Sequence, residues 1–192
     1  MKENKNYQDF IFLENIFTPE ECRMIIDLGR SFNLASGKIG EKDITPQESL
    51  NFETRKSQIA WIPWNQDTDW IFQRLYEHAI NVNNKYYQFD LSGFYEQIQF
   101  TEYTSPDGHY TWHTDGGSGS FSTCKLSIVV QLSDPKKYEG GELQLFTDDV
   151  QSITKKQGAV TFFPSYSAHR VTPITKGKRY TLVIWVAGPP FK

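Results

Sequence analysis

The stretch Tyr110-Thr111-Trp112-His113-Thr114-Asp115 decides how this chain is read. It has the look of a β-strand ending in an H-x-D pair. The two-residue period of a strand puts His113 and Asp115 on one face. An imidazole and a carboxylate side by side are two ligands for a divalent metal. A third candidate is His169, within Phe163-Pro164-Ser165-Tyr166-Ser167-Ala168-His169-Arg170-Val171. Two histidines and one carboxylate, with open positions opposite, form the ligand set of non-haem Fe(II) sites. Arg179 follows in Lys178-Arg179-Tyr180-Thr181. A buried guanidinium there can fork onto a carboxylate. H-x-D alone is a weak signal in a chain with four histidines. The ordered set of H-x-D, a long gap, histidine and then arginine is far more specific.

The rest of the composition narrows the field. A chain of 192 residues makes one domain the default and is long enough for a sizeable core. Aromatics reach 15%, which suits a β-rich core or an aromatic-lined cleft. The formal net charge is −3 and no basic block occurs, so nucleic acid is not an expected partner. Cys22 and Cys124 are far apart, with neither disulfide-framework nor zinc spacing, and fit a reducing cytoplasm. The polar start Met1-Lys2-Glu3-Asn4-Lys5-Asn6 leads to no apolar signal segment, and no run approaches membrane-spanning length. The expectation is a cytoplasmic protein without a membrane partner. Oligomeric state is not legible.

Along the chain, Phe10-Ile11-Phe12-Leu13 reads as a short buried strand. Thr18-Pro19-Glu20-Glu21 is a helix start, with Thr18 as N-cap, Pro19 in the first turn and Glu21 closing a capping box. Cys22, Ile25, Ile26, Gly29 and Phe32 then follow helical spacing. Residues 33–52 lose all periodicity. A loop of about twenty residues is unusual in a compact domain and suits either a lid or a surface excursion. As a lid it would close with Leu34, Ile39, Ile44 and Leu50, and Arg55 and Trp61 at its base are candidate substrate contacts. Residues 54–62 read as a strand. Asp67 or Thr68 starts a second helix, whose face is Ile71, Leu75, Ala79 and Val82; His78 beside it is structural.

From residue 86 onward the pattern is of strands: 86–91, 96–103, the His113/Asp115 stretch, 125–132, 142–146, 159–163, 168–171 and 179–186. In 96–103, Ile98 and Phe100 point one way, while Gln97, Gln99, Thr101 and Tyr103 point the other. That polar face means either a polar pocket or solvent. The last strand puts Arg179, Thr181, Val183 and Trp185 on one face. Many short strands after two helices mean a mainly β protein with flanking helices, a sandwich or jelly roll. It reads as a single domain over residues 1–192, with support in 1–94 and a catalytic core in 95–192.

Several residues carry a family resemblance. Tyr103 stands ten residues before His113. Leu132-Ser133 is followed by Tyr138-Glu139-Gly140-Gly141-Glu142-Leu143. Phe162-Phe163-Pro164 precedes His169, and Arg179-Tyr180 runs on to Trp185. With the H-x-D pair, these make residues 95–186 resemble the double-stranded β-helix, or jelly roll, of Fe(II)/2-oxoglutarate-dependent dioxygenases, most of all their prolyl-4-hydroxylase-like branch. The resemblance implies that His113, Asp115 and His169 hold Fe(II) and that Arg179 pairs with the C5 carboxylate of 2-oxoglutarate. Tyr103 and Thr181 become candidates to hydrogen-bond that co-substrate. Oxygen would be reduced, 2-oxoglutarate would become succinate and carbon dioxide, and an unactivated C–H bond would be hydroxylated, with ascorbate in a supporting role.

In one place the pattern departs. Some relatives carry a second tyrosine on the strand after H-x-D, whereas this chain has Val129-Val130-Gln131, making Gln131 the candidate substitute. Trp185 is either core or a substrate contact. His109 lies at a turn and is not an expected ligand; Arg170 is expected to face outward. The best substrate reading is a prolyl residue in a peptide or protein. The alternatives are a hydroxylase of a free amino acid or other small molecule, and a non-catalytic jelly-roll binding module.

Overall fold

The computed structural model describes residues 6–38, 50–117 and 119–191. Residues 39–49, which include Ile39 and Ile44 of the expected lid, lie outside the described residues.

The first helix, Pro19–Ser31, begins as its sequence dictates. The Thr18 hydroxyl accepts from the Glu21 amide at 3.2 Å, and the Glu21 carboxylate accepts from the Thr18 amide at 2.8 Å. Glu21 also pairs with Arg74 on the second helix, Asp69–Val82, at 2.9 Å. Cys22, Ile25 and Gly29 are buried on one helix, and Ile71, Leu75, Ala79 and Val82 on the other. Gly29 lies flat against the Phe100 ring, so a methyl group there would overlap it. Lacking a side chain at that point lets the helix seat directly on the sheet.

Among the described residues, that sheet has nine strands. Its main path runs Ile11–Leu13, Val160–Pro164, Cys124–Gln131, Ile174–Ala187, Ile98–Thr104, Gln58–Ile62 and Ala35–Ser36. A second sheet of five strands runs Val150–Ser152, Leu143–Phe146, His169–Val171, His109–His113 and Arg55–Lys56. All recorded pairings are antiparallel. Strand alternation divides the large sheet cleanly. Ile98, Phe100, Leu126, Ile128, Val130, Leu182, Ile184 and Val186 pack under the two helices in one core. The alternate residues face the small sheet, and there Tyr103, Val129, Phe163, Leu143, Val171 and Ile174 form a second cluster. This is the mainly β jelly roll with flanking helices that the turn-punctuated sequence predicts. Residues from 1–94 and from 95–192 share the larger core.

Several elements differ from expectation. Residues 54–62 are not one strand: Arg55–Lys56 pairs in the small sheet, and after Ser57 the chain crosses to Gln58–Ile62 in the large one. Residues 86–91 form no strand. The second helix widens into a π-helical turn, Asn83–Tyr87, which ends at Gln88 in the left-handed region (φ 58°). The Asn83 side chain then clasps both the amide (2.9 Å) and the carbonyl (3.0 Å) of Phe89, giving this backbone the partners a sheet would have supplied. Thr68 stands at the start of the second helix without capping it, because its hydroxyl donates to the Pro63 carbonyl at 2.6 Å. Ala35–Ser36, within the expected lid, pairs with the edge strand Gln58–Ile62, and Leu34 packs against the main core.

Candidate metal and co-substrate site

His113 and His169 meet because their strands place them opposite each other. They are direct partners across the His109–His113 and His169–Val171 pair, with ring centroids 4.1 Å apart. Asp115 arrives differently from the strand argument, for the strand ends at His113. The Asp115 and Gly116 amides both donate to the Ser165 carbonyl, at 2.9 and 2.7 Å, and this turn swings the carboxylate inward. The Ser127 hydroxyl, on the neighbouring strand of the large sheet, donates to Asp115 Oδ2 at 2.7 Å and meets Ser165 Oγ at 2.9 Å.

The imidazoles are held ready to ligate. His113 Nδ1 lies 2.7 Å from the Thr111 carbonyl, and His169 Nδ1 lies 3.0 Å from that of Ser167. A carbonyl can only accept, so each Nδ1 carries the proton and each Nε2 keeps its lone pair for the interior. His113 Nε2 is 3.8 Å from Asp115 Oδ1, and His169 Nε2 is 3.5 Å from Asp115 Oδ2. Burial, and then the neighbouring His169, push the His113 imidazole down to about 3, against the pull of Asp115. Burial would raise the Asp115 carboxyl, yet the two imidazoles and the nearby Trp185 and Ser127 donors hold it below the usual carboxylate range. Neutral imidazoles and an ionised carboxylate are the forms that bind a metal.

The three side chains offer ligand atoms that all lie within 4.8 Å of one another. Ligands about 2.1 Å from one metal and at right angles sit about 3 Å apart. A slight inward closure of these side chains meets that spacing, so the donor set fits an Fe(II) ion. The Trp185 indole N–H is buried without a hydrogen-bond partner of good geometry, although it lies near enough to Asp115 to favour its charge. An orphaned donor beside the triad suits an oxygen ligand brought by a bound molecule.

These groups line a cavity of about 860 Å³ between the sheets, within the range of small-molecule sites. Arg179, Tyr103 and Thr181 face into it. Arg179 is only 3% exposed, and its guanidinium carbon lies 5.7 Å from the Tyr103 ring. Gly141, at φ +59°, carries the chain past this side chain; a Cβ there would stand 3.2 Å from Arg179 Cδ and overlap Ile174. Gln131 is not part of the cavity lining. Its Oε1 accepts from Arg179 Nε at 3.0 Å, and its amide nitrogen donates to the Tyr138 hydroxyl at 3.0 Å and the Ser133 carbonyl at 3.3 Å. Of the expected polar face, Gln99 and Tyr103 line the cavity and Thr101 is buried, whereas Gln97 lies before the strand and is exposed.

At the mouth, Trp61 is 36% exposed and its ring lies 6.4 Å from that of Trp185. Arg55 lines the cavity as well. His109 is outside the cluster: its ring nitrogens lie 2.6 Å from the Asp107 carbonyl and 2.9 Å from that of Glu53. Arg170 lies over the Trp112 ring away from the main cavity. Sequence reasoning missed Ser127, Tyr138 and Tyr110, whose ring stacks on His113 at 3.5 Å. Ser127 left a trace, as a lone hydroxyl in the apolar run Leu126-Ser127-Ile128.

A jelly roll with two histidines and a carboxylate converging at a cavity, and a buried arginine on the far wall, has the build of an iron-dependent oxygenase. The family model described as the 2OG-Fe(II) oxygenase superfamily matches residues 98–187, a span that includes His113, Asp115, His169 and Arg179. A PKHD-type hydroxylase of Azoarcus sp. (strain BH72) is 29% identical over 88% of this chain and 74% of its own length. Among solved structures, a Pseudomonas putida prolyl-4-hydroxylase superposes with a TM-score of 0.75 at 19% identity, covering 94% of this chain and 93% of its own. A Trichoplax adhaerens prolyl hydroxylase, in complex with a peptide fragment of the hypoxia inducible factor oxygen degradation domain, gives 0.76 at 17%, covering 96% and 84%. Residues 98–187 match the 2OG-Fe(II) oxygenase superfamily, the chain has the fold of the prolyl-4-hydroxylases, and a non-catalytic jelly-roll module is set aside. Fe(II), 2-oxoglutarate and oxygen are the cofactor and co-substrates that this family implies.

Proposed function

We propose that this protein hydroxylates a prolyl residue in a peptide or protein, with His113, Asp115 and His169 holding Fe(II) and Arg179 holding 2-oxoglutarate. The observation that carries the metal assignment is the convergence of three ligand atoms within 4.8 Å, with both imidazoles anchored through Nδ1. The prolyl assignment draws support from the solved relative that carries a peptide. When bound, the iron supplies the oxygen chemistry that couples conversion of 2-oxoglutarate and O2 into succinate and CO2 to insertion of one oxygen atom into a C–H bond.

The chain's own residues bind and orient. Ser127 and the turn onto Ser165 fix the rotation of the Asp115 carboxylate. Gln131, tied to Tyr138, pins Arg179 Nε so that its remaining N–H groups face the C5 carboxylate. Thr181 and Tyr103 line the same cavity and would donate to that group, and Leu143 and Val171 would give its methylenes an apolar wall. Trp61 and Trp185 offer flat apolar surface at the mouth, suited to a pyrrolidine ring. Arg55 is the polar substrate contact.

Ascorbate would keep the iron reduced between turnovers. No helix among the described residues is long and apolar enough to cross a membrane, and two buried free cysteines support a reducing, cytoplasmic setting. The test is a screen of prolyl peptides with Fe(II), 2-oxoglutarate and ascorbate, reading succinate release together with a mass gain of one oxygen. Succinate release without any oxygenated prolyl peptide, in a screen where another substrate class is oxygenated, would overturn the prolyl assignment.

A further inference from the structure

Arg55 stands where the chain crosses from the small sheet to the large one, on the wall of the cavity. It is only 7% exposed, yet every hydrogen-bond partner of its guanidinium among the described residues is neutral. Nε donates to Ser57 Oγ at 2.8 Å, Nη2 to Gln99 Oε1 at 2.7 Å and Nη1 to the Lys38 carbonyl at 3.2 Å. The guanidinium carbon lies 4.7 Å over the Tyr110 ring. No carboxylate among the described residues forms an ion pair with it. A guanidinium has five N–H donors; these bonds use three, and the Tyr110 hydroxyl lies near enough to share another. The neutral partners fix the orientation of the fork without neutralising it.

The charge balance of the cavity gives that fork a purpose. Asp115 belongs to the triad, and Arg179 is matched to one carboxylate of 2-oxoglutarate. The other co-substrate carboxylate and Asp115 together offset a divalent metal. Among the described residues, Arg55 remains as a buried cation without a counter-charge. Tyr110 connects it to the triad, since the ring beneath the guanidinium is also the ring stacked on His113 at 3.5 Å. A group bound at Arg55 is therefore within a small molecule's length of the reacting centre. Resting on the oxygenase reading, we propose that Arg55 selects the substrate: it receives a carboxylate that lies close to the hydroxylated carbon. The carboxylate belongs to a free amino acid or C-terminal residue, or to an acidic side chain next to the target. A neutral peptide segment is a poor substrate.

Matched acid and amide probes test this on the Fe(II)-loaded protein, saturated with 2-oxoglutarate and without oxygen. Calorimetry compares N-acetyl-L-proline with N-acetyl-L-prolinamide, and acetyl-Pro-Glu-amide with acetyl-Pro-Gln-amide. In at least one pair the acid should bind about tenfold or more tightly, the scale of a charge-assisted bond. The pair that shows the preference identifies the source of the carboxylate. Arg55→Met should erase that preference while 2-oxoglutarate binds as before, and Arg55→Lys should retain part of it. Equal binding within both pairs, absence of binding included, overturns the proposal. So does a preference that survives Arg55→Met, or a loss of 2-oxoglutarate affinity in that variant, which would move Arg55 into the co-substrate site. The parent comparison needs no variant, so misfolding of Arg55→Met leaves the proposal testable. Failure of the oxygenase reading shows separately, as a parent protein that releases no succinate.

Discussion

Ser127→Ala perturbs the site without replacing any proposed ligand. Ser127 is fully buried, and its hydroxyl reaches Asp115 Oδ2 at 2.7 Å while Ser165 Oγ supports it at 2.9 Å. In register it lies opposite Phe163 on one side and Trp185 on the other, so no water replaces the hydroxyl without displacing packed rings. A hydrogen bond to a charged group contributes about 1.5–3 kcal/mol, which corresponds to about 10–100-fold in a binding constant. Outer groups that orient metal ligands have effects of the same size, about 10–100-fold. Part of the loss falls on the metal-free protein, where the same bond exists, so the lower end of about tenfold is the expectation. Anaerobic calorimetry with Fe(II), repeated with Mn(II), measures it. Ser165→Ala is the control: it keeps the direct bond to Asp115, and its effect should be clearly smaller. If Ser127→Ala binds both metals as tightly as the parent, the carboxylate needs no such support and the reasoning fails.

Other expectations concern the ligands, the co-substrate and the fold. His113→Ala and Asp115→Ala should each lose tight Fe(II) binding in a metal titration, since two remaining ligands hold an ion poorly; undiminished affinity in both would reject the triad. Arg179→Ala leaves a buried carboxylate unpaired, a cost of about 3–5 kcal/mol, so the apparent Michaelis constant for 2-oxoglutarate should rise by about two orders of magnitude or more. Arg179→Lys keeps the charge but not the fork and should fall between, with Fe(II) affinity near the parent's in both. Thr18→Ala removes the cap of the first helix and should lower unfolding stability by about 1 kcal/mol, read as a shifted denaturant midpoint with Fe(II) affinity unchanged.

What the sequence reveals follows the range of the interactions involved. The capping box at Thr18 and Glu21 is local, spanning three residues, and it forms as read. The apolar face of the second helix depends only on the helical period, and Ile71, Leu75, Ala79 and Val82 are all buried. The same holds for Ile174–Ala187, where a period of two puts Arg179, Thr181, Val183 and Trp185 on the cavity side. The stretch 86–91 misleads because its aromatic residues have high strand propensity, while the structure gives their backbone a side-chain clasp from Asn83. Propensity cannot foresee that a single asparagine outcompetes a strand partner.

The site shows the same division more sharply. A strand's period of two pairs His113 with Asp115, yet Asp115 lies beyond the strand, and its position comes from two amides donating to Ser165, fifty residues further on. Nothing near H-x-D records that bond. Gln131 is another case. Read along the chain it stands in for a missing co-substrate contact, but across the sheet it faces Thr181, two residues from Arg179 on the next strand over. That register turns the glutamine toward the guanidinium, and the Tyr138 hydroxyl takes up its other end. Ligand type and order survive in a linear sequence because chemistry fixes them. The groups that aim those ligands are chosen by cross-strand register, which depends on pairings tens of residues apart, so Ser127, Tyr138 and Gln131 acquire their roles only once the two sheets have closed on each other.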